Sequence, residues 1–396
     1  MRFLFTSQPG LGHFHPLVPT ALALQARGHE VAFATSRPFS PIVEALGFAS
    51  FGVGPDWLEN LSDPFMREHT RDNVPPFVEV ARMGMADDVI RVARDWSPSV
   101  IVRGGSEFSG TVAAEMLGIP LAVHGISAEA MWYPFICEPV AALLASFGVT
   151  PSSSSQWMYG KLHLNRVPPS FQEANFAASP VTRTIRPAVF DRIEKAAPLP
   201  GWVAALGSRP VVYATMGSVF NHVPGVFEAV IAALADEPLD LIITTGKDGQ
   251  PERFGARPPN VHITTYLPQS MLLPRCDVVV THAGFNTVMA ALSAGVPLYC
   301  LPLGADQPYN ALRCVATGVG LSAADGPSPN PVGPTIQPDA LEPGRICSDI
   351  LRLLSEPSWS AAAQRLQAEI LALPAPEDAA CLVEQLAPAA TGTGAS

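Results

Sequence analysis

What most constrains this chain is a pattern that occurs twice: short, uniformly apolar runs alternating with helical stretches. In the first 125 residues the runs are Arg2–Thr6, Val31–Thr35, Ser99–Val102 and Leu121–Val123. Between them, Pro16–Arg27 places Leu17, Val18, Ala21 and Leu22 on one helical face and stops at Gly28, where a C-terminal cap belongs. Gly110–Leu117 reads as a helix of small residues. The pattern restarts near Pro210 with Val211–Thr215, then a helix over Gly225–Ala235 whose Val226, Phe227, Val230, Ile231 and Leu234 share a face. Leu241–Thr245, Val261–Thr264, Val278–Thr281 and Leu298–Leu301 follow. Strands that are apolar throughout have both faces covered, and strands joined through helices run parallel. A chain of 396 residues with this pattern twice reads as two doubly wound α/β halves, joined near Pro198–Arg209.

The stretch from Ser127 to Arg192 reads as irregular and aromatic-rich, with Met131, Trp132, Tyr133 and Phe135, a serine run at Ser152–Ser155, then Trp157 and Tyr159. It serves either as an apolar binding wall or as a helical excursion packed on its own core, and the residues leave both open. Pro327–Pro334 reads as an exposed insertion. A helical region over Trp359–Leu386 is followed by a small-residue tail whose composition marks it as disordered.

Composition narrows the function. With Lys plus Arg at 24 and Asp plus Glu at 35, the net charge is −11, a poor basis for binding nucleic acid or an anionic membrane. Any phosphate must be held by local backbone amides and dipoles. The longest apolar runs are too short and interrupted to span a membrane, and MRFLFTSQPG reads as a strand rather than a signal peptide. The six cysteines form no C-x-x-C pair, which fits reduced thiols in a cytoplasmic protein without a zinc site or disulfide framework.

The chemistry gathers at strand exits. Gly10-Leu11-Gly12-His13-Phe14-His15-Pro16 has a histidine where a dinucleotide fingerprint needs its third glycine, and the second strand ends in Thr35-Ser36-Arg37 rather than an acid. A nicotinamide site is disfavoured. His13 instead stands at a helix N-terminus on the carboxyl edge of a parallel sheet, where open α/β sheets bind ligands. Helix-end amides favour its neutral form, the state a general base needs. Taken alone it is more simply a turn-capping residue, and His15, before Pro16, reads as structural. The second half is sharper. In Thr281-His282-Ala283-Gly284-Phe285-Asn286-Thr287, glycine allows close approach and the helix start, with His282, Asn286 and Thr287, converges on an anion. Ser218 ends a neighbouring strand, and Asp306-Gln307 supplies a carboxylate and an amide of the kind sugar hydroxyls want.

These motifs, together with Tyr266-Leu267-Pro268-Gln269, Ala294-Gly295-Val296-Pro297 and Pro302-Leu303-Gly304-Ala305-Asp306-Gln307, resemble the nucleotide-sugar signature of family 1 glycosyltransferases, most of all the actinobacterial branch that decorates polyketides and related natural products. Gly12-His13-Phe14-His15-Pro16-Leu17 and Arg27-Gly28-His29-Glu30-Val31 match the same branch. The resemblance implies a GT-B fold, two Rossmann-like domains facing across a cleft: residues 1–205 for the acceptor, rejoined by a C-terminal helix at about 375–390, and residues 206–374 for the nucleotide sugar. It implies an inverting, metal-independent transfer from a TDP- or UDP-sugar to a hydroxyl of a polycyclic or macrocyclic apolar aglycone. His13 falls on the catalytic base. Ser218, His282, Gly284, Asn286 and Thr287 fall on phosphate-binding residues, Tyr266 and the Leu267 backbone on the base site, and Asp306 and Gln307 on the sugar-hydroxyl ligands. Met131, Trp132, Tyr133 and Phe135 would meet the acceptor. Relatives place a carboxylate behind the histidine just after the strand that Ser99–Val102 represents. Here glycines stand first, and Glu107 is the nearest acid, with Glu129 and Asp306 as alternatives. Open at this stage are C-glycosylation of a phenolic polyketide, a non-catalytic nucleotide-sugar-binding helper, a homodimer, and an auxiliary protein.

Overall fold

The computed structural model describes residues 1–59, 76–151, 155–173, 176–191, 199–247, 249–325 and 333–388. Ser152–Ser154, most of the Pro327–Pro334 insertion and the tail lie outside these residues. The chain forms two compact units: Met1–Arg166 with Asn175–Ala188 and Pro374–Ser396, and Val167–Ala174 with Val189–Leu373.

In the first unit the described strands are β1 (Arg2–Thr6), β2 (Glu30–Thr35), β3 (Ala49–Gly52), β4 (Val100–Gly104), β5 (Leu121–His124), β6 (Leu162–Asn165) and β7 (Thr182–Thr184). They form one parallel sheet in the order β3-β2-β1-β4-β5-β6-β7. The chain builds outward from β1 through β2 to β3, then returns to lay β4 on the other side. Thr6 is paired with Arg103 at the end of this central ladder. Phe3, Leu4 and Phe5 of β1 and Val100, Ile101 and Val102 of β4 are fully buried, as central strands covered on both faces must be.

Principal helices of this unit are α1 (Leu11–Phe14), α2 (Val18–Ala26), α3 (Ala86–Trp96), α4 (Ser109–Leu117) and α5 (Glu129–Ser146). Two differ from the sequence expectation. The turn after β1 itself contains helical α1, capped at Gly10, so α2 begins later than Pro16. The stretch expected to be irregular holds the 18-residue α5, together with β6 and β7. Pro134 and Pro139 within α5 break its 3.6-residue pattern on paper, and apolar residues distributed around it blur any stripe.

The second unit has strands β8 (Val211–Thr215), β9 (Asp240–Thr244), β10 (Val261–Thr264), β11 (Val278–Thr281), β12 (Leu298–Cys300) and β13 (Gly320–Ser322), all parallel in the order β10-β9-β8-β11-β12-β13. Here the order reverses between β8 and β11, with Thr215 paired to Thr281. Its helices include α6 (Val226–Leu234), α7 (Phe285–Ser293), α8 (Gln307–Ala316), α9 (Pro343–Ser355) and α10 (Pro357–Ala372). Val226, Phe227, Val230, Ala233 and Leu234 give α6 its buried face.

The division between units falls at Ala188/Val189 rather than 205/206. Described residues of the intervening stretch are held to the second unit. The Asp191 carboxylate accepts the amides of Gln269 and Ser270 at 3.0 and 2.8 Å, and Trp202 stacks on His262 at 4.7 Å. Val167–Ala174 also belongs there, where the Arg313 guanidinium donates to the carbonyls of Phe171 and Gln172 at 2.8 and 2.9 Å.

The last described helix, α11 (Pro376–Glu384), packs in the first unit against α2. Its contact face carries Ala379, Ala380 and Val383, small enough for close approach, and burying Val383 contributes roughly 1.5–3 kcal/mol. At its end the Glu384 carboxylate accepts from Arg27 Nε at 3.0 Å and Nη2 at 2.5 Å, and pairs with His29 Nε2 at 2.9 Å. The hydrogen bond from Arg27, followed by that from His29, lowers the pKa of Glu384 below its ordinary 4.5. The unfolded chain therefore binds that proton first, so the contribution is present above about pH 4.5 and is lost as pH falls through the lower folded value. Thermal melts should show Glu384→Gln less stable than wild type at pH 7, and the gap should close on acidification below pH 4.5.

Candidate functional site

Each sheet reverses its strand order at one pair of strands, and open α/β sheets leave a crevice beyond the carboxyl ends of such a pair. In the second unit those ends are Thr215 of β8 and Thr281 of β11. The next residues are Met216-Gly217-Ser218 and His282-Ala283-Gly284. The two turns close on the imidazole of His282. A Cβ at Gly217 would lie 2.7 Å from its Cε1, and one at Gly284 would lie 2.4 Å from its Nε2. A side chain at either glycine would have to displace the imidazole. The Thr281 hydroxyl lies 3.2 Å from His282 Nδ1, and Phe220 packs beside the ring with centroids 6.0 Å apart. Burial pushes the pKa of His282 down to about 4, against an opposing hydrogen bond with the Thr215 backbone. At neutral pH this imidazole is uncharged.

The N-terminal end of α7 follows directly, bringing Asn286 and the nearly buried Thr287 to the same sheet edge. Next along the edge is the turn between β12 and α8. Ala283 and Ala305 both adopt left-handed backbone, with φ of 66° and 52°, in consecutive strand-to-helix turns. Such a conformation costs a non-glycine residue roughly 1–2 kcal/mol, so the surroundings must hold it. Asn310, fully buried on α8, does this for Ala283: its Nδ2 donates to the Ala283 carbonyl at 2.9 Å and to Asp306 Oδ2 at 3.0 Å. Neither Asn310 nor Phe220 was singled out from sequence, although the Asp306–Asn310 spacing is that of helical neighbours.

The Asp306-Gln307 pair differs from expectation. Gln307 Oε1 is spent on its own turn, accepting the amides of Leu303 and Gly304 at 2.8 and 3.0 Å. The fork expected to meet sugar hydroxyls has one acceptor fewer. Ser218 is exposed at the exit of β8, and Tyr266, 47% exposed after β10, presents its ring beside the buried Leu267.

In the first unit the turn after β1 carries His13 on α1. Phe14, the next residue, is fully buried against Phe33 and Phe39 at 5.0 and 5.5 Å, which fixes the rotation of this short helix. His13 is left mostly buried, with the Phe77 ring edge-on at 5.0 Å and its Nε2 2.9 Å from Glu59 Oε1. Glu107 is occupied elsewhere. One carboxylate oxygen accepts the Ser109 amide at 2.6 Å; the other accepts the Gly110 amide at 2.9 Å and the Thr6 hydroxyl. It caps α4, and the expectation that it orients His13 is not met. Arg103, fully buried, ties the same turn by donating to the carbonyls of Gly104, Gly105, Glu107 and Met158. Glu59 stood in no motif, on the connection leaving β3, and sequence reading passed it over. Phe135 is 52% exposed on α5, while the side chains of Met131, Trp132 and Tyr133 lie outside the described set. Among the described residues no cluster of three metal-ligating side chains occurs, and no helix is long and apolar enough to cross a membrane.

The C-terminal domain of erythromycin biosynthesis protein CIII-like proteins matches residues 228–386. L-demethylnoviosyl transferase of Streptomyces niveus is 30% identical over 339 residues, covering 81% of this chain and 85% of that protein. TDP-daunosamine transferase DnrS of Streptomyces peucetius is 26% identical, covering 98% and 97%. The crystal structure of the glycosyltransferase SnogD from Streptomyces nogalater superposes with a TM-score of 0.76 at 27% identity, over 98% of this chain and 99% of that one. This chain belongs to the family 1 glycosyltransferases, in their actinobacterial natural-product branch. Its two parallel sheets are those of the GT-B fold.

The buried imidazole of this glycosyltransferase gives its stability a pH dependence. Because the folded value of His282 is about 4 and the unfolded value 6.5, the unfolded chain takes up the proton first, and stability is lost as pH falls from about 6.5 toward 4. At about 1.4 kcal/mol per unit this is roughly 3 kcal/mol. Denaturation of wild type and His282→Gln at pH 7 and at pH 5 should show the wild type losing more on acidification.

Proposed function

We propose that this glycosyltransferase moves a sugar, with inversion and without a metal, from a TDP- or UDP-sugar to a hydroxyl of an apolar natural-product aglycone, with His13 as general base. The observation that carries the donor half is the uncharged imidazole of His282 gripped between two glycine turns beside the N-terminal end of α7. A helix N-terminus carries about half a positive charge, and backbone amides suit phosphate. A diphosphate can therefore be held there with no lysine, arginine or cation. Ser218, Gly284, Asn286 and Thr287 line the same edge, Tyr266 offers a face for a pyrimidine above the Leu267 backbone, and Asp306, with Gln307, meets the sugar. TDP is favoured over UDP because DnrS is named for a TDP-sugar.

On this reading the first unit receives the acceptor. His13 removes the proton from its hydroxyl, the oxygen attacks the anomeric carbon from the face opposite the diphosphate, and the departing charge is taken up at α7. Phe135 is an exposed apolar group on that unit, and with Met131, Trp132 and Tyr133 it supplies the acceptor-facing residues of the proposal.

Thermal shift with nucleotides tests the donor: TDP should stabilise most, UDP less, and NADP not at all. Stabilisation by NADP alone would sink the reading. Calorimetry on His282→Ala should show weakened TDP binding, since that contact exists before the transition state is reached. His13→Ala should lose roughly 10²–10⁴-fold in turnover on an alcohol acceptor while TDP affinity stays within a factor of about 2. Retained turnover in that variant would remove His13 from the mechanism.

A further inference from the structure

The carboxylate beside His13 comes from outside every recognised motif, yet the turn after β1 makes room for it. Glu59 is pinned to the turn after β1 by its own amide, which donates to the Pro9 carbonyl at 3.0 Å. Two residues earlier the buried Trp57 is fixed by its carbonyl, which accepts from the Ser36 hydroxyl at 2.5 Å. The side chains of His13 and Glu59 are only 12% and 15% exposed where they meet. Water screens such a pair little, so the hydrogen bond is directional and charge-assisted.

Gly10 gives a second observation. Its φ of −140° and ψ of 146° are extended backbone that any residue adopts, so glycine is not needed there for conformation. It is needed for space. A Cβ on residue 10 would lie 1.8 Å from Glu59 Oε2 and 2.8 Å from Glu59 Cβ. The turn that presents His13 is thus shaped to admit this carboxylate. The acid expected in that role, Glu107, has both oxygens committed to Thr6 and the first amides of α4.

We propose that Glu59 is the positioning residue for His13: it accepts the hydrogen on Nε2, which fixes the tautomer with Nδ1 basic, and it faces the imidazolium that forms when His13 takes a proton. The inference rests on the reading of His13 as general base. In the transfer step the acceptor O–H bond breaks and its proton goes to Nδ1. The oxygen's electron pair forms the bond to the anomeric carbon, and the bond from that carbon to the diphosphate oxygen breaks, its pair leaving with the nucleoside diphosphate. Glu59 takes no proton. Its part is that of a carboxylate behind an imidazole, which holds orientation and stabilises the charged ring.

Histidine-ring ¹⁵N NMR on the full-length protein tests the pairing without any substrate, with His13 assigned by its loss in His13→Ala. Wild type should show a neutral His13 protonated at Nε2. In Glu59→Gln the titration should move to lower pH and the tautomer should no longer be fixed. Gly10→Ala should reproduce the effect with every ionisable group retained, and it serves if Glu59→Gln folds poorly. A tautomer and titration unchanged in both variants overturn the proposal. Turnover of TDP-glucose, with a steroid alcohol as acceptor or with water alone, tests the role. Glu59→Gln should lower kcat by about 10–10³-fold with TDP affinity unchanged, Glu59→Asp should recover part of it, and Glu59→Gln should add nothing in the His13→Ala background. Full kcat in Glu59→Gln where His13→Ala is inactive defeats this inference alone; full kcat in His13→Ala defeats the general-base reading itself.

Discussion

A parallel strand cannot be followed by a hairpin. Each connection must cross over a sheet face, usually through a helix, and all strand exits therefore open at one edge. That constraint places every candidate residue of this protein. In each sheet the chain first builds outward from a central strand and then returns to its other side, so the connections after β1 and β4, and those after β8 and β11, diverge and leave a crevice. His13 follows β1, Ser218 follows β8 and His282 follows β11. Residues far apart in sequence come together because the ladder pairs Thr6 with Arg103 and Thr215 with Thr281.

On the proposed reading, the second sheet edge is where an acidic chain prepares a place for an anion. With a net charge of −11, a cluster of lysines is not what this protein offers. It brings backbone close instead. Two glycines let turns press on one imidazole, and the cost of burying that ring appears as its depressed pKa rather than as an unpaired charge. A neutral ring beside a helix N-terminus provides hydrogen bonding and partial charge with little desolvation penalty, since no full cation has to be kept out of water.

Much of this was legible in the sequence because it depends on local chemistry. Uniformly apolar runs gave the parallel sheets, and the His282–Thr287 and Asp306-Gln307 motifs marked exits of adjacent strands. What was not legible depends on distance or on masking. Helix α5 was hidden by Pro134 and Pro139, whose cost within a helix argues against one until packing on both sides is known. The boundary near residue 205 was misplaced because Asp191 and Trp202 hold their stretch to the second unit through partners in β10 and the Gln269–Ser270 turn. Gln307 was read as a free fork, but an amide two residues past a sharp turn is also well placed to close that turn, and its oxygen does so.

The contrast between Glu107 and Glu59 shows why proximity in sequence to a strand exit is a poor guide to chemistry. Glu107 stands where a helper acid was expected, and that position is also the start of α4, whose first amides have no partners inside the helix. A fully buried carboxylate there must satisfy those amides or pay a desolvation penalty of several kcal/mol, so local geometry claims it first. A carboxylate serving an imidazole needs the opposite situation: an anchor supplied by its backbone, not by its side chain. Glu59 has this. Its amide is held by Pro9 and its neighbour Trp57 by Ser36, which leaves a carboxylate oxygen for His13. That anchoring depends on three connections, after β1, β2 and β3, meeting at one edge. No spacing rule within a single segment encodes it, whereas the missing Cβ of Gly10 records it in the folded chain.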